Sequence, residues 1–262
     1  MRLDFRDRYS SYWAAFGELV AVVMGLLIYS YTAKAFAPAF SPVLGTHTTD
    51  YFTYVLVGEL VLLVPLQLVE NMTKNLKQFV SQGTIDPLLM LPSRPQAAPV
   101  LLSLAAVPRE SLRVAVTILL GLTLFSFSVS PSGLLLAFVL QLLALPVFLG
   151  IAMLACAVLV VFGRGYGLLA YAMTAAAVVA GAYFPTSVLP EALQNFGLIS
   201  PFNALLEGTR LVLSSGAAIS QIQATAWTMV KWGIVSLPIG YVALGMSLAY
   251  FRRRGEPLLF TV

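Results

Sequence analysis

The sequence predicts an all-α membrane protein: six transmembrane helices, an N-terminal interfacial helix, and short re-entrant helices between the fifth and sixth spans. Three observations carry that prediction. Of 262 residues, 59% are hydrophobic, and the mean hydropathy is +0.89. Only 10% are charged, against roughly 25% in soluble domains. The apolar residues fall in runs of membrane-crossing length, with most Lys and Arg in the short intervals between them. The whole chain, 1–262, reads as a single transmembrane domain. A net charge of +4 does not point to nucleic acid, because the positive residues gather at the ends of apolar runs and form no stripe. One cysteine, Cys156, leaves no disulfide framework, and one histidine, His47, cannot build a metal site.

In residues 1–12, Arg2, Arg6 and Arg8 alternate with Asp4 and Asp7 around Leu3, Phe5 and Tyr9. The pattern is that of a short amphipathic helix lying along the headgroups. The first span follows at 13–35. Ala35-Phe36-Ala37 resembles a signal-peptidase site, but the apolar run before it exceeds the roughly 7–15 residues of a signal-peptide core, so the helix is read as retained. Residues 36–50, rich in Pro, Ser and Thr, form a loop. The second span, 51–69, contains Glu59 and Pro65. A carboxylate at that depth is costly unless paired, protonated or facing water. Glu59 therefore faces an aqueous or protein interior, or makes a structural hydrogen bond to a neighbouring helix.

Residues 70–95 are the longest polar interval. A turn at Gly83-Thr84-Ile85-Asp86 precedes an apolar knob at 87–91 that Pro92 ends. The knob either docks into a partner's groove or tucks beneath the helices. The third span is placed at 111–128, after Pro108-Arg109-Glu110 and with Arg113 in its first turn. The fourth covers 134–162, with a bend at Pro146. Residues 163–167 make a Gly-rich turn, which no strand precedes, so it is no phosphate cradle. In the fifth span, 168–184, Ala172, Ala176 and Ala180 recur four apart beside Gly181, a face that lets another helix approach closely. The sixth span, 222–251, contains Lys231 and Pro238, and Arg252, Arg253 and Arg254 anchor the tail.

Between the last two spans, Phe184-Pro185 stops the fifth helix, and Pro190 and Pro201 open two short ones at 190–196 and 201–214. Proline suits a first helical turn because its missing N–H would have no partner there. Neither piece reaches the roughly 20 residues of a span. The second sets Asn203, Glu207 and Arg210 along one face. Two readings fit 185–214: half-inserted re-entrant helices, or an amphipathic loop on the membrane surface. Rings gather on the same side (Tyr29, Tyr31, Phe36, Phe40, Tyr51, Phe52, Tyr54, Tyr183, Phe184), as an interfacial belt or a sugar-binding surface. With both termini cytoplasmic, 12 of the 15 Lys and Arg lie inside, and only Lys34, Arg210 and Lys231 do not.

No G-x-x-x-x-G-K-[ST] loop and no Ser–His or Asp–Asp constellation is present, and the in-span charges Glu18, Glu59 and Lys231 are scattered. An enzyme is not expected.

Two motifs carry a family resemblance. Gly83, Thr84, Ile85, Asp86, Leu88, Leu89 and Pro92 fit a G-T-hydrophobic-acidic-x-L-L-x-x-P loop. Gly181, Phe184, Pro185, Leu189, Pro190, Pro201, Glu207 and Arg210 fit an outer G-x-x-F-P-x-x-x-L-P motif followed by proline and E-x-x-R. In this order of spans the chain resembles the permease subunit of an ABC exporter of the ABC-2 type, over essentially its whole length. One departure is Phe79-Val80-Ser81-Gln82, where the family carries an acidic and basic cluster. The resemblance implies a homodimer with two cytoplasmic ATP-binding subunits in a bacterial inner (plasma) membrane, moving a lipid, drug-like molecule or lipid-linked glycan outward. ATP and Mg would be bound by the partner ATPase, with no cofactor in this chain. It further implies that 70–95 is the cytoplasmic coupling loop, in which Lys77, Gln82, Gly83, Thr84, Ile85, Asp86, Leu88, Leu89 and Pro92 couple to the ATPase. Phe184, Pro185, Leu189, Pro190, Pro201, Asn203, Glu207 and Arg210 would form the outer gate, and Ala172, Ala176, Ala180 and Gly181 the dimer face. An ATPase-independent secondary transporter, or an intramembrane lipid-modifying enzyme, is the alternative.

Overall fold

The computed structural model describes residues 2–40, 51–81, 96–125, 130–162, 166–215 and 219–254. These form α-helices and one 3-10 turn, with no strand among the described residues. The helices are α1 (Arg2–Phe40), α2 (Tyr51–Ser81), α3 (Ala97–Leu124), α4 (Pro131–Phe162), α5 (Tyr166–Val179), α6 (Glu191–Ile199), α7 (Pro201–Ser215) and α8 (Ile219–Arg254). The 3-10 turn, Thr186–Val188, precedes α6.

Several boundaries differ from those expected. No break separates an interfacial helix from the first span; α1 runs unbroken for 39 residues, Pro38 included. α2 continues for three turns beyond Val69, through residues expected to be loop. The cause is visible in the pattern: Val69, Met72 and Leu76 extend its buried stripe at helical spacing while Glu70, Lys74 and Lys77 take the other faces. α3 begins at Ala97 and carries Pro108 in its interior rather than starting after it. Intact helices around such prolines are common in membrane segments, where neighbours re-satisfy the freed carbonyl.

Four described helices are long and apolar enough to cross a membrane: Phe16–Pro38, Tyr51–Phe79, Pro131–Phe162 and Ile222–Tyr250. The other two expected spans fall short for different reasons. α3 carries Arg109, Glu110 and Arg113 in its middle. The apolar stretch at α5, Gly167–Val179, is a short one, about 20 Å long against a hydrocarbon core of about 30 Å.

α4 is the axis of the fold. It packs along most of its length on α8, the most extensive helix pair, and also touches α2 and α7. That closeness rests on Gly150 and Gly240: a Cβ on Gly240 would strike the Gly150 carbonyl, and one on Gly150 the backbone of Ser236. The Ser236 hydroxyl donates to the Val147 carbonyl at 3.1 Å across the seam. Small residues and interhelical hydrogen bonds are what hold membrane helices together, since lipid tails are as apolar as Leu. The core divides in two along α4. One cluster joins Leu140, Val147 and Phe148 to α2 and to Phe202, Leu205 and Leu206 of α7. The other joins Ala152, Cys156 and Val160 to the end of α2 and to Leu244 and Leu248 of α8.

Candidate functional site

The site is built on the end of α5. Its last turn closes as a Schellman motif: the Ala182 N–H donates to the Ala177 carbonyl at 3.1 Å and the Gly181 N–H to Val178 at 3.0 Å. Such an ending needs a left-handed residue, and Gly181, at φ 92°, supplies it. The chain then turns away, leaving four successive carbonyls, Ala180 to Tyr183, without helical donors.

Every one of the four is met by a side chain from elsewhere. Asn203 Nδ2 donates to Ala180 at 3.1 Å. The Tyr54 hydroxyl donates to Gly181 at 3.0 Å. Arg210 Nη2 donates to Gly181 and Ala182, both at 3.0 Å. The Tyr51 hydroxyl donates to Tyr183 at 3.1 Å. α2 and α7 thus grip the end of α5 from two sides. Unpaired carbonyls buried in a protein interior are expensive, so the four contacts are required rather than incidental.

Arg210 is the centre of this joint. Its side chain is 0% exposed, and its Cζ lies 3.6 Å from the centroid of the Tyr54 ring. Nη1 donates to the Tyr54 hydroxyl at 3.0 Å, and Nη2 reaches the Tyr54 carbonyl at 3.3 Å. Glu207, one turn earlier, stands 3.9 Å away. At that distance the charge is met chiefly by carbonyl oxygens, the tyrosine and the negative end of the α5 dipole. A planar guanidinium suits several fixed acceptors at once, as a lysine would not. Gly58 completes the fit, because a Cβ there would strike the Ala182 carbonyl and come within 3.0 Å of Arg210 Nη2.

Next to Gly58 on α2, Glu59 accepts from the Tyr183 hydroxyl at 3.1 Å, and Tyr29 of α1 faces the same carboxylate. Of the two readings of Glu59, the structural hydrogen bond is observed. Glu59 also heads a polar cavity of about 310 Å³ between α2, α3 and α5, walled by Gln67, Glu70, Thr73, Arg113 and Thr174. The remaining in-span charges are on the surface. Glu18 bonds Arg109 of α3, and Lys231 Nζ lies 5.7 Å from the centroid of the Trp227 ring.

The structure therefore brings together Asn203, Glu207 and Arg210, as their spacing on one helical face foretold. Pro185 and Pro201 are buried beside them, Phe184 and Leu189 half-buried, and Pro190 exposed at the start of α6. Of the small residues expected to meet a second copy, Ala172 is exposed and Ala176 half-buried, whereas Ala180 and Gly181 are buried within this chain. Lys77 lies half-buried near the end of α2. Gln82, Gly83, Thr84, Ile85, Asp86, Leu88, Leu89 and Pro92 lie outside the described residues. Tyr51, Phe52 and Tyr54 are buried in the chain and form neither a belt nor a binding surface. Sequence reasoning missed Tyr51, Tyr54 and Gly58 as partners of the joint. Their spacing along one face of α2 groups the three, but does not say which helix that face meets.

Fold and site define a multi-pass helical membrane protein in which polar side chains of α2 and α7 brace the end of α5. A family model described as ABC-2 type transporter matches residues 1–214. The chain belongs to that family and is a transmembrane transport subunit, of a kind that generally works with ATP-binding subunits. No curated protein matches the chain.

Proposed function

We propose that this chain is the membrane-spanning half of an ATP-driven exporter, assembled as two copies with two cytoplasmic ATP-binding subunits. Both termini face the cytoplasm, and the cargo is a hydrophobic or amphipathic molecule moved outward. The observation that carries this reading is the span of α2. As a single helix of 31 residues it is about 46 Å long at 1.5 Å per residue. Its far end leads into residues 82–92, the proposed coupling loop, and its near end holds Tyr51, Tyr54 and Gly58. A displacement at one end of a stiff helix arrives at the other, where it acts on the end of α5 through Arg210.

α6 and α7 act as the outer plug in this scheme. α7 is packed into the chain, but α6 leaves Leu193, Phe196 and Ile199 exposed, which suits insertion among lipid tails. α3 and α5 complete six crossings. The dimer face uses α1 and the exposed side of α5 around Ala172, and ATP with Mg is bound by the partner ATPase. The polar cavity headed by Glu59 borders that face and is where cargo passes.

The test reconstitutes the chain with its ATPase and measures ATP hydrolysis and export together. Reversing the character of Asp86 and Leu88 is expected to abolish export, and Tyr54→Phe to lower export per ATP hydrolysed. Unchanged coupling in both variants, or export without any ATPase, would overturn the proposal; the latter would favour a secondary transporter.

A further inference from the structure

The polar cavity between α2, α3 and α5 carries three charged side chains in its lining, Glu59, Glu70 and Arg113. Glu70 is answered by Lys74, one turn further along α2. Glu59 has hydroxyl partners, Tyr183 and Tyr29, and no cation among the described residues. Arg113 has neither an ion pair nor a side-chain hydrogen bond among them. Both side chains are only half-buried, so their charged ends are open to the cavity they line.

Their heights in the fold explain why the two do not pair with each other. The rings of Phe52 and Phe125 meet, 5.7 Å between centroids, where α2 begins and α3 ends, so these helices run antiparallel. Arg113 lies twelve residues back along α3 from that contact, and Glu59 seven residues along α2. The difference is about 8 Å of height at 1.5 Å per residue. Side chains lean toward the N-terminus of their own helix, and here the two N-termini lie at opposite ends. The lean therefore carries the carboxylate and the guanidinium further apart. One cavity thus holds an unanswered anion and an unanswered cation, each costly at this depth.

Three features narrow the ligand that answers both. A guanidinium fork matches the oxygens of a phosphate, which accept from two of its N–H groups at once. The lining has no Phe, Tyr or Trp among the described residues, so a quaternary ammonium, which aromatic faces hold, has no seat there. A primary ammonium, by contrast, donates N–H directly to Glu59. Finally, about 310 Å³ is at the lower edge of the roughly 300–1,000 Å³ usual for ligand sites. That volume takes a head group, with Leu63, Leu66, Leu169 and Met173 against the start of an apolar tail.

We propose that this cavity binds the head group of an amphiphile carrying both a primary ammonium and a phosphate, the phosphate on Arg113 and the ammonium on Glu59. This rests on the reading of the cavity as the cargo route and names the class of cargo. The ammonium shares Glu59 with the Tyr183 hydroxyl, and the Tyr183 carbonyl is one of the four gripped at the end of α5. Occupancy of the cavity is thereby felt at the joint.

The test places the full chain in nanodiscs where phosphatidylethanolamine, phosphatidylcholine, phosphatidylglycerol and a long-chain alkylamine compete. Bound amphiphile is counted by native mass spectrometry. Phosphatidylethanolamine is expected to be retained roughly tenfold over each of the other three. Glu59→Gln should erase its preference over phosphatidylglycerol, which has the phosphate without the ammonium. Arg113→Gln should erase its preference over the alkylamine, which has the ammonium without the phosphate. Should Arg113→Gln fail to elute as a single species, Arg113→Lys keeps the charge without the fork and should keep part of that preference. Equal retention of all four amphiphiles, or variants that lower all four alike, would overturn the proposal. Transport is read separately, with the ATPase added, as ATP-dependent appearance of tagged phosphatidylethanolamine in the opposite leaflet of proteoliposomes. Preferential retention without that movement upholds the site and removes the exporter reading. ATP-driven movement without head-group preference does the reverse.

Discussion

α8 and α1 are both long, apolar and peripheral, yet they are held in opposite ways. α8 lies backbone to backbone on α4, with Gly150 and Gly240 in contact and Met229, Leu244 and Leu248 sealed from solvent. α1 touches chiefly α2, with a smaller contact to α3. It buries Val22, Leu26 and Ala33 and leaves Trp13, Phe16, Met24, Ile28 and Tyr31 exposed. Polar links to the rest of the chain come from Glu18 to Arg109 and from Tyr29 beside Glu59. A seam closed by glycines has one geometry, because close-packed interiors do not deform gradually. α1 rests instead on a few polar contacts and a narrow apolar stripe. The contrast lies in how each helix is held, since both keep large apolar side chains exposed.

Substitutions should grade that contrast. Gly240→Leu places a branched side chain against the Gly150 carbonyl and should cost about 3 kcal/mol or more. It should be read as loss of the monodisperse peak in size-exclusion chromatography; a well-behaved variant would show that the seam yields. Arg210→Ala strands the Ala182 carbonyl, leaves Gly181 with the Tyr54 hydroxyl alone, and should cost about 3 kcal/mol. A clear drop in Tm in detergent is the readout, with Arg210→Lys falling between because its point charge cannot serve several fixed acceptors. Glu59→Gln keeps an acceptor for Tyr183 but loses the charge, for about 1 kcal/mol. Its sharper effect should be faster proteolysis within α1 at unchanged protection of α8. Arg109→Ala removes an exposed ion pair and should change Tm by the equivalent of less than about 1 kcal/mol. A larger loss would mean α1 is anchored more firmly than its contacts show.

Much of this was legible in advance, for physical reasons that vary by element. α4 announces itself by a long uncharged run, α8 by a long apolar run interrupted only by Lys231, and α6 and α7 by prolines that allow a helix to start and not to continue. Asn203, Glu207 and Arg210 could be grouped because residues three and four apart share a helical face. The far end of α2 was misplaced because composition outweighed periodicity: Glu70, Lys74 and Lys77 look like a loop until Met72 and Leu76 are counted. Pro108 misled in the same manner, being read as a boundary. The partnership of Arg210 with Tyr54 was beyond reach, since 156 residues separate them and nothing local specifies which helix a face will meet.

Cys156 has one more consequence. It is the sole thiol in the sequence and is completely enclosed between α4 and its neighbours. Thiol reagents work through the accessible thiolate, so the native background is already silent towards maleimides. Reporter cysteines introduced at Trp13 on α1 and at Ile234 on α8 would carry spin labels or dyes without any prior engineering. The spread of distances between them would then measure how far one flank travels while the other stays still.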